Sequence, residues 1–94
     1  MSAAVTLFKI VTIRDEIVIG LPPEDLAKIG GSDAAAVGET LARNGQFSAW
    51  RYAVRKAENG ELEQAPLHRI SILGHDSLRV EPYSTPLPIA PIRL

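Results

Sequence analysis

The amino-acid sequence predicts an α+β fold in two layers. An antiparallel sheet, made of an N-terminal strand pair and a C-terminal strand set, carries two short helices on one face and ends in an extended proline-rich C-terminal arm. Three observations lead there. Residues 4–21 are dense in β-branched side chains, residues 22–45 contain two helix start and stop signals, and residues 47–83 alternate apolar side chains with arginines. Successive strand side chains point to opposite faces, so such alternation divides an apolar wall from an arginine-bearing surface.

The first segment holds Val5, Thr6, Ile10, Val11, Thr12 and Ile13, then Ile17, Val18 and Ile19 after the charged triplet Arg14, Asp15 and Glu16. β-Branching favours strand over helix, and the triplet is the natural reversal point, which predicts a hairpin or bent strand pair. Phe8 and Ile10 alternate with Leu7, Lys9 and Val11, so both faces carry apolar groups and one of these strands belongs inside the sheet. Pro22 and Pro23 cannot donate to a ladder, and Pro23 suits the first turn of a helix. Glu24 and Asp25 then lie at the positive end of that helix, Leu26 and Ile29 share a face, and Gly30 with Gly31 permits its exit. Ser32 is the expected N-cap of a second helix over 33–43, with Ala34, Val37 and Leu41 as its apolar stripe and Asn44 with Gly45 as its stop. Gly38 inside that helix costs roughly 1 kcal/mol of propensity and allows close approach to a neighbour.

Asn59 and Gly60 both tolerate positive φ and stand between alternating flanks, which predicts a hairpin after residues 47–56. Pro66 interrupts the returning strand, so its paired part is expected over 67–73, with 61–65 as an edge or loop. A second reversal at Gly74, His75, Asp76 and Ser77 leads to a last strand over 78–83. Trp50, Tyr52, Val54, Ile70, Ile72, Leu78 and Val80 share one parity, which places Trp50 beneath the helices. Arg51, Arg55, Arg69 and Arg79 have the other parity. Pro82, Pro86, Pro88 and Pro91 then impose an extended course on the C-terminal residues.

Composition bounds what such a fold can do. A chain of 94 residues suits one domain with a modest core, here 1–83, followed by the arm, 84–94. The apolar fraction of 46% and charged fraction of 22% are those of a globular chain rather than a disordered one. With a formal net charge of -1, the whole-molecule field does not draw a nucleic-acid backbone, so nucleic-acid binding would have to be local. The absence of cysteine excludes disulfides and thiolate chemistry and favours a reducing compartment. Lys9, Arg14, Asp15 and Glu16 interrupt the N-terminal apolar run, so neither an export signal nor a membrane span is expected, and the expected location is cytoplasmic.

Five groups of residues are candidates for function. Arg51, Arg55, Arg69 and Arg79 offer planar forks for a phosphate or carboxylate ligand, an acidic protein or a nucleic acid, although Glu58, Glu61, Glu63 and Glu81 are close enough in sequence to neutralise them across strands. His68, His75 and Asp76 bring imidazole near a carboxylate, the ingredients of acid–base chemistry or of a metal site with open positions, but a spacing of seven turns the two histidines to opposite faces of a straight strand. Gly30, Gly31 and Ser32 precede a helix as an anion loop would, with Asp33 opposing an anion there. Asp15, Glu16, Glu24 and Asp25 already have local roles in a turn and a helix start. In the arm, Leu87, Ile89, Ile92 and Leu94 either fold back over their own sheet or reach a partner.

No catalytic constellation or complete cofactor motif is legible among these residues. The leading expectation is a small non-catalytic accessory or regulatory protein, acting through sheet edges and the arm as a homo-oligomer or as a subunit of a larger assembly. A small-ligand or anion-binding domain, even an enzyme, using His68, His75, Asp76 and the arginines is one alternative. Nucleic-acid binding through the arginines is the other.

Overall fold

The computed structural model describes residues 5–31, 33–74 and 78–92, and within them the two-layer α+β architecture expected from the sequence is present. Its elements are β1 (Thr6–Val11), β2 (Glu16–Leu21), α1 (Pro23–Ile29), α2 (Ala34–Asn44), β3 (Gln46–Lys56), β4 (Leu62–Leu73) and β5 (Arg79–Pro82). The five strands form one antiparallel sheet in the order β4-β3-β2-β1-β5. Thus β1 and β2 are both interior, as their two-sided apolar pattern requires. No helix among the described residues is long and apolar enough to cross a membrane.

Local chemistry explains the connections. Between β1 and β2, the Thr12 backbone N–H donates to the Asp15 carbonyl at 2.8 Å, while the Thr12 hydroxyl accepts from the backbone N–H groups of Arg14 and Asp15. This turn closes just before Glu16, which already belongs to β2. Helix α1 starts at Pro23, carries Glu24 and Asp25 in its first turn, and ends at Gly30 in the left-handed region, φ 77°. Helix α2 is capped by Asp33, whose side chain accepts from the Ala36 N–H at 2.9 Å. The cap is therefore one residue later than Ser32, the expected one; a carboxylate there satisfies an orphan N–H and also favours the positive helix end. Gly45, φ 78°, ends α2, and Gly60, φ 87°, turns the β3–β4 hairpin.

The core lies between the helices and one face of the sheet. Phe8, Ile10, Ile19, Leu21 and Ala49 from the strands meet Val37 and Leu41 from α2, with Phe47, Ile70 and Val80 packed against them. Cross-strand register shows why they share a face: Phe8 opposes Ile19, Ile10 opposes Ile17 and Val80, Phe47 opposes Ile72, and Ala49 opposes Ile70.

Three sequence expectations are corrected here. Trp50 is not beneath the helices. From Gln46 to Arg51 the β3–β4 register sets odd-numbered positions of β3 opposite even-numbered positions of β4, so Phe47 and Ala49 take the helix face while Trp50, opposite Gly20 and Arg69, takes the other. Parity within one strand is informative; parity between strands depends on turn length and register. The three C-terminal runs also do not form one contiguous set, because β5 joins β1 at the far edge instead of β4.

Pro66, finally, does not shorten β4, which runs from Leu62 to Leu73. The Gln64 N–H donates outward, to the Pro88 carbonyl, so by ladder alternation the missing N–H of Pro66 also faces away from β3, where an edge strand can omit it. A bulge between the Arg51–His68 and Tyr52–Pro66 pairs then shifts the face presented by the first half of β4.

Candidate functional site

The sheet face away from the helices has its own cover. A row of cross-strand neighbours, Leu7, Gly20, Trp50 and Arg69, crosses it from β1 to β4. Tyr52 leans over Gly20: a Cβ added to Gly20 would lie 2.3 Å from Tyr52 Cε1, so this position needs a residue without one. Tyr52 and Leu7 are nonetheless buried, at 2% and 3% exposure. The arm buries them.

It leaves β5 with the Tyr83 N–H donating to the Leu7 carbonyl at 3.3 Å and reaches β4, where the Gln64 N–H donates to Pro88 and the Ala90 N–H donates to Gln64. A parallel bridge between Gln64 and Ile89 results. The Tyr52 hydroxyl donates to the Ala90 carbonyl at 2.7 Å, and burial pushes the Tyr52 pKa up to about 12. Arm residues 84–90 thus lie on their own domain, tied at the start by the Tyr83–Leu7 bond and at the far end, Pro88–Ala90, by the Gln64 pairing and the buried Tyr52 phenol. Leu87 and Ile92 are half-buried, Ile89 remains 39% exposed, and Leu94 lies outside the described residues.

The arginines are dispersed. Arg51 projects on the helix side of β3, opposite His68, whereas Arg69 lies on the other side, opposite Trp50. Arg55 donates to Glu63 across the hairpin at 3.0 Å. Arg79 is on β5, within 3.7 Å of Glu81, at the opposite edge of the sheet from β4; four strand spacings separate those edges, about 19 Å. Of the four glutamates read from the sequence as partners, Glu63 pairs an arginine across strands and Glu81 pairs one along its own strand. Arg79 with Glu81 faces solvent and Arg55 is exposed over a largely covered Glu63; pairs with an exposed arginine of this kind stabilise little. Between the hairpin and the arm lies a groove of about 1050 Å³, lined by Trp50, Arg55, Glu63, Leu67 and Ile89 among others.

His68 is exposed on β4, and its proposed companions His75 and Asp76 lie outside the described residues. Among the described residues no three His, Asp or Glu side chains are grouped as a metal site would need. The early carboxylates have local partners. Glu16 holds Lys9 at 3.1 Å with Glu81 at 3.8 Å on its other side, and the Glu16 hydrogen bond and charge, helped by Glu81, push the Lys9 pKa above its ordinary value. Glu24 and Asp25 occupy the first turn of α1. Gly31 joins the helices, with an added Cβ meeting that of Ala36 at 2.9 Å.

The two sheet edges contrast sharply. On β5, the Tyr83–Leu7 hydrogen bond sets the ladder phase so that Val80 and Pro82 direct their backbone groups outward; Pro82 has no N–H to offer. On β4, the Gly74 N–H donates to Gly45 at 3.0 Å. Alternation from that pair turns the backbone N–H and C=O groups of Arg69, Ser71 and Leu73 away from β3. The arm covers this edge at Gln64, on the other side of the bulge. From Arg69 to Leu73 the ladder is open among the described residues, with Arg69 and Ser71 exposed, Leu73 66% exposed and Leu67 50% exposed beside it.

Sequence inspection pointed to an edge through Pro66 but placed it at residues 61–65. It missed Gly20, Gln64 and the outward phase of Arg69, Ser71 and Leu73. Only the proline carried a signal, since hydrogen-bond phase has no signature in residue type. Comparison with known proteins adds no relative: no family model matches the chain, and no curated protein or solved structure matches it.

Proposed function

We propose that this chain is a small non-catalytic accessory or regulatory protein that acts through protein–protein contacts, with the outer edge of β4 as its principal contact surface. The observation that carries this reading is the ladder from Arg69 to Leu73, open among the described residues and flanked by exposed Leu67 and Leu73. A row of unpaired backbone donors and acceptors is a template for another strand. Elsewhere the protein blunts such rows, with Pro82 on β5 and with Pro66 and the arm on the first half of β4. An edge left open beside exposed leucines supports a contact role.

The dispersed arginines weaken the reading as an anion or nucleic-acid surface, because recognition of a phosphate or a backbone relies on several cations on one face. Localisation in the cytoplasm, inferred from the lack of cysteine, remains part of this proposal.

A photo-crosslinking amino acid placed at Leu73 in the producing cell tests the contact role, with the same group at the exposed Lys28 of α1 as reference. The expected result is one discrete protein adduct from position 73 and none from position 28. Equal, diffuse labelling from both positions, or none from either, would overturn the contact role of this edge.

A further inference from the structure

We infer that the occupant of the open β4 edge is a second copy of this chain, the two β4 strands pairing antiparallel about a two-fold axis at Ser71. The inference rests on the contact role proposed above and specifies its partner. Arg69, Ser71 and Leu73 all direct their backbone groups outward. An axis through Ser71 sets Ser71 against its own copy and Arg69 against Leu73 of the partner, so all three outward residues are in phase and about six inter-chain hydrogen bonds form. Two neighbouring centres do less well. An axis at Arg69 opposes two guanidinium groups, a destabilising like-charge pair. An axis at Ile70 pairs Arg69 with Ser71 only, because the bulge at Leu67, just before His68, breaks the phase beyond them.

Side chains agree with the Ser71 register. On the helix face, Ile70 meets Ile72 of the partner, so the apolar layer that ends at the half-buried Ile70 continues into the second molecule. On the other face, two serines meet on the axis, a favourable cross-strand pair, and each Arg69 stem lies along an exposed Leu73. A two-fold perpendicular to the sheet puts both helical layers on one side. They have room, because the helices pack chiefly over β2, β3 and β5 and leave β4 at the margin. Among the described residues the arm pairs with β4 at Gln64, on the other side of the bulge from the stretch of edge that the partner takes. A formal net charge of -1 per chain opposes self-association only weakly. The product is a continuous ten-stranded sheet.

Light scattering on the full chain at about 100 µM, where even a micromolar contact is occupied, is expected to give twice the monomer mass of 10.2 kDa. Two variants locate the contact. Ser71→Pro removes an N–H that points away from β3, so it is expected to keep the native circular dichroism spectrum and halve the mass. Ser71→Cys introduces the sole cysteine of the chain; directly opposed residues in a hydrogen-bonded pair stand about 5.5 Å apart at Cα, within disulfide range. Mild oxidation is expected to convert it to a disulfide-linked dimer, while Arg69→Cys links well only when mixed with Leu73→Cys.

A 10.2 kDa mass for the unaltered chain, or a dimer in which Ser71→Cys fails to link, would overturn the inference. If Ser71→Pro fails to fold, the cysteine set decides alone. A monomeric chain whose Leu73 photo-adduct contains a different protein would eliminate the homodimer and leave the accessory reading standing, whereas a monomer with no adduct eliminates both.

Discussion

The two faces of the sheet are both covered, but by different means. On one, Phe8, Ile10, Ile19 and Leu21 meet Val37 and Leu41 of α2, and all six are nearly inaccessible to water. This is aliphatic packing between two regular elements with matched periodicities, held by the area it removes from water. On the other face, Leu7 and Tyr52 are almost as deeply buried, yet no helix is there. Their cover is an irregular strap fixed by the Tyr83–Leu7 bond, the Tyr52 hydroxyl and the Gln64 bridge. Three prolines, Pro86, Pro88 and Pro91, set much of its course in advance, so the strap loses less backbone freedom on docking than an ordinary loop of that length. Regular packing supplies the first cover, and a pre-extended segment with a few directional bonds supplies the second.

Substitutions on each face sharpen that contrast. Phe8→Ala empties the centre of the helix-covered layer and is expected to cost about 3–5 kcal/mol in a urea melt, enough to leave a domain of this size barely folded. Gly20→Ala acts on the other face. Its new methyl runs into the Tyr52 ring and Val5, and the expected cost is about 1–3 kcal/mol. Combining it with Tyr52→Ala, which opens the space, should remove most of that penalty; a cost that persists undiminished would place the constraint outside the Tyr52 contact.

Tyr52→Phe is the mildest change. It deletes one hydrogen bond to the arm and should cost about 1 kcal/mol at neutral pH. Its clearest signature is alkaline. An unfolded tyrosine ionises near 10.0, whereas folded Tyr52 holds its proton to about 12. Between these values the unfolded chain has released a proton that the folded chain retains, so the stability present below pH 10 declines as pH rises toward 12. The Phe variant should lack the part of the decline due to Tyr52, which melts between pH 9 and pH 12 would reveal as converging stabilities. Parallel curves would show that Tyr52 is not the responsible group.

The edges differ as the faces do. Pro82 and Pro66 both fall where the missing N–H faces outward, and each costs its strand no ladder bond. The stretch from Arg69 to Leu73 has no such residue, and its outward groups set the register proposed for a second copy.

Much of the architecture is legible in particular residues. β-Branched runs mark β1 and β2, Pro23 and Gly30 bound α1, Gly45 ends α2, and Asn59 with Gly60 turns the hairpin. These signals are local: each rests on the φ range, hydrogen-bonding capacity or periodicity of a few consecutive residues. The surfaces were less legible. Trp50 looked like core because its parity matched Ile70 and Ile72, and only the β3–β4 register sends it to the opposite face. Gly20 looked like an ordinary strand residue until Tyr52 was seen above it. In the arm, prolines announced an extended course and apolar residues announced a need for cover, without deciding whose surface would supply it.

By itself, then, the sequence determined the fold class, most element boundaries and the extended habit of the arm, since these depend on near neighbours in the chain. Tertiary structure decided strand order, register, the bulge and the landing of the arm on Gln64. Those depend on which distant segments meet: a one-residue change in register exchanges the faces of a whole strand, and ladder phase determines which backbone groups an edge leaves free.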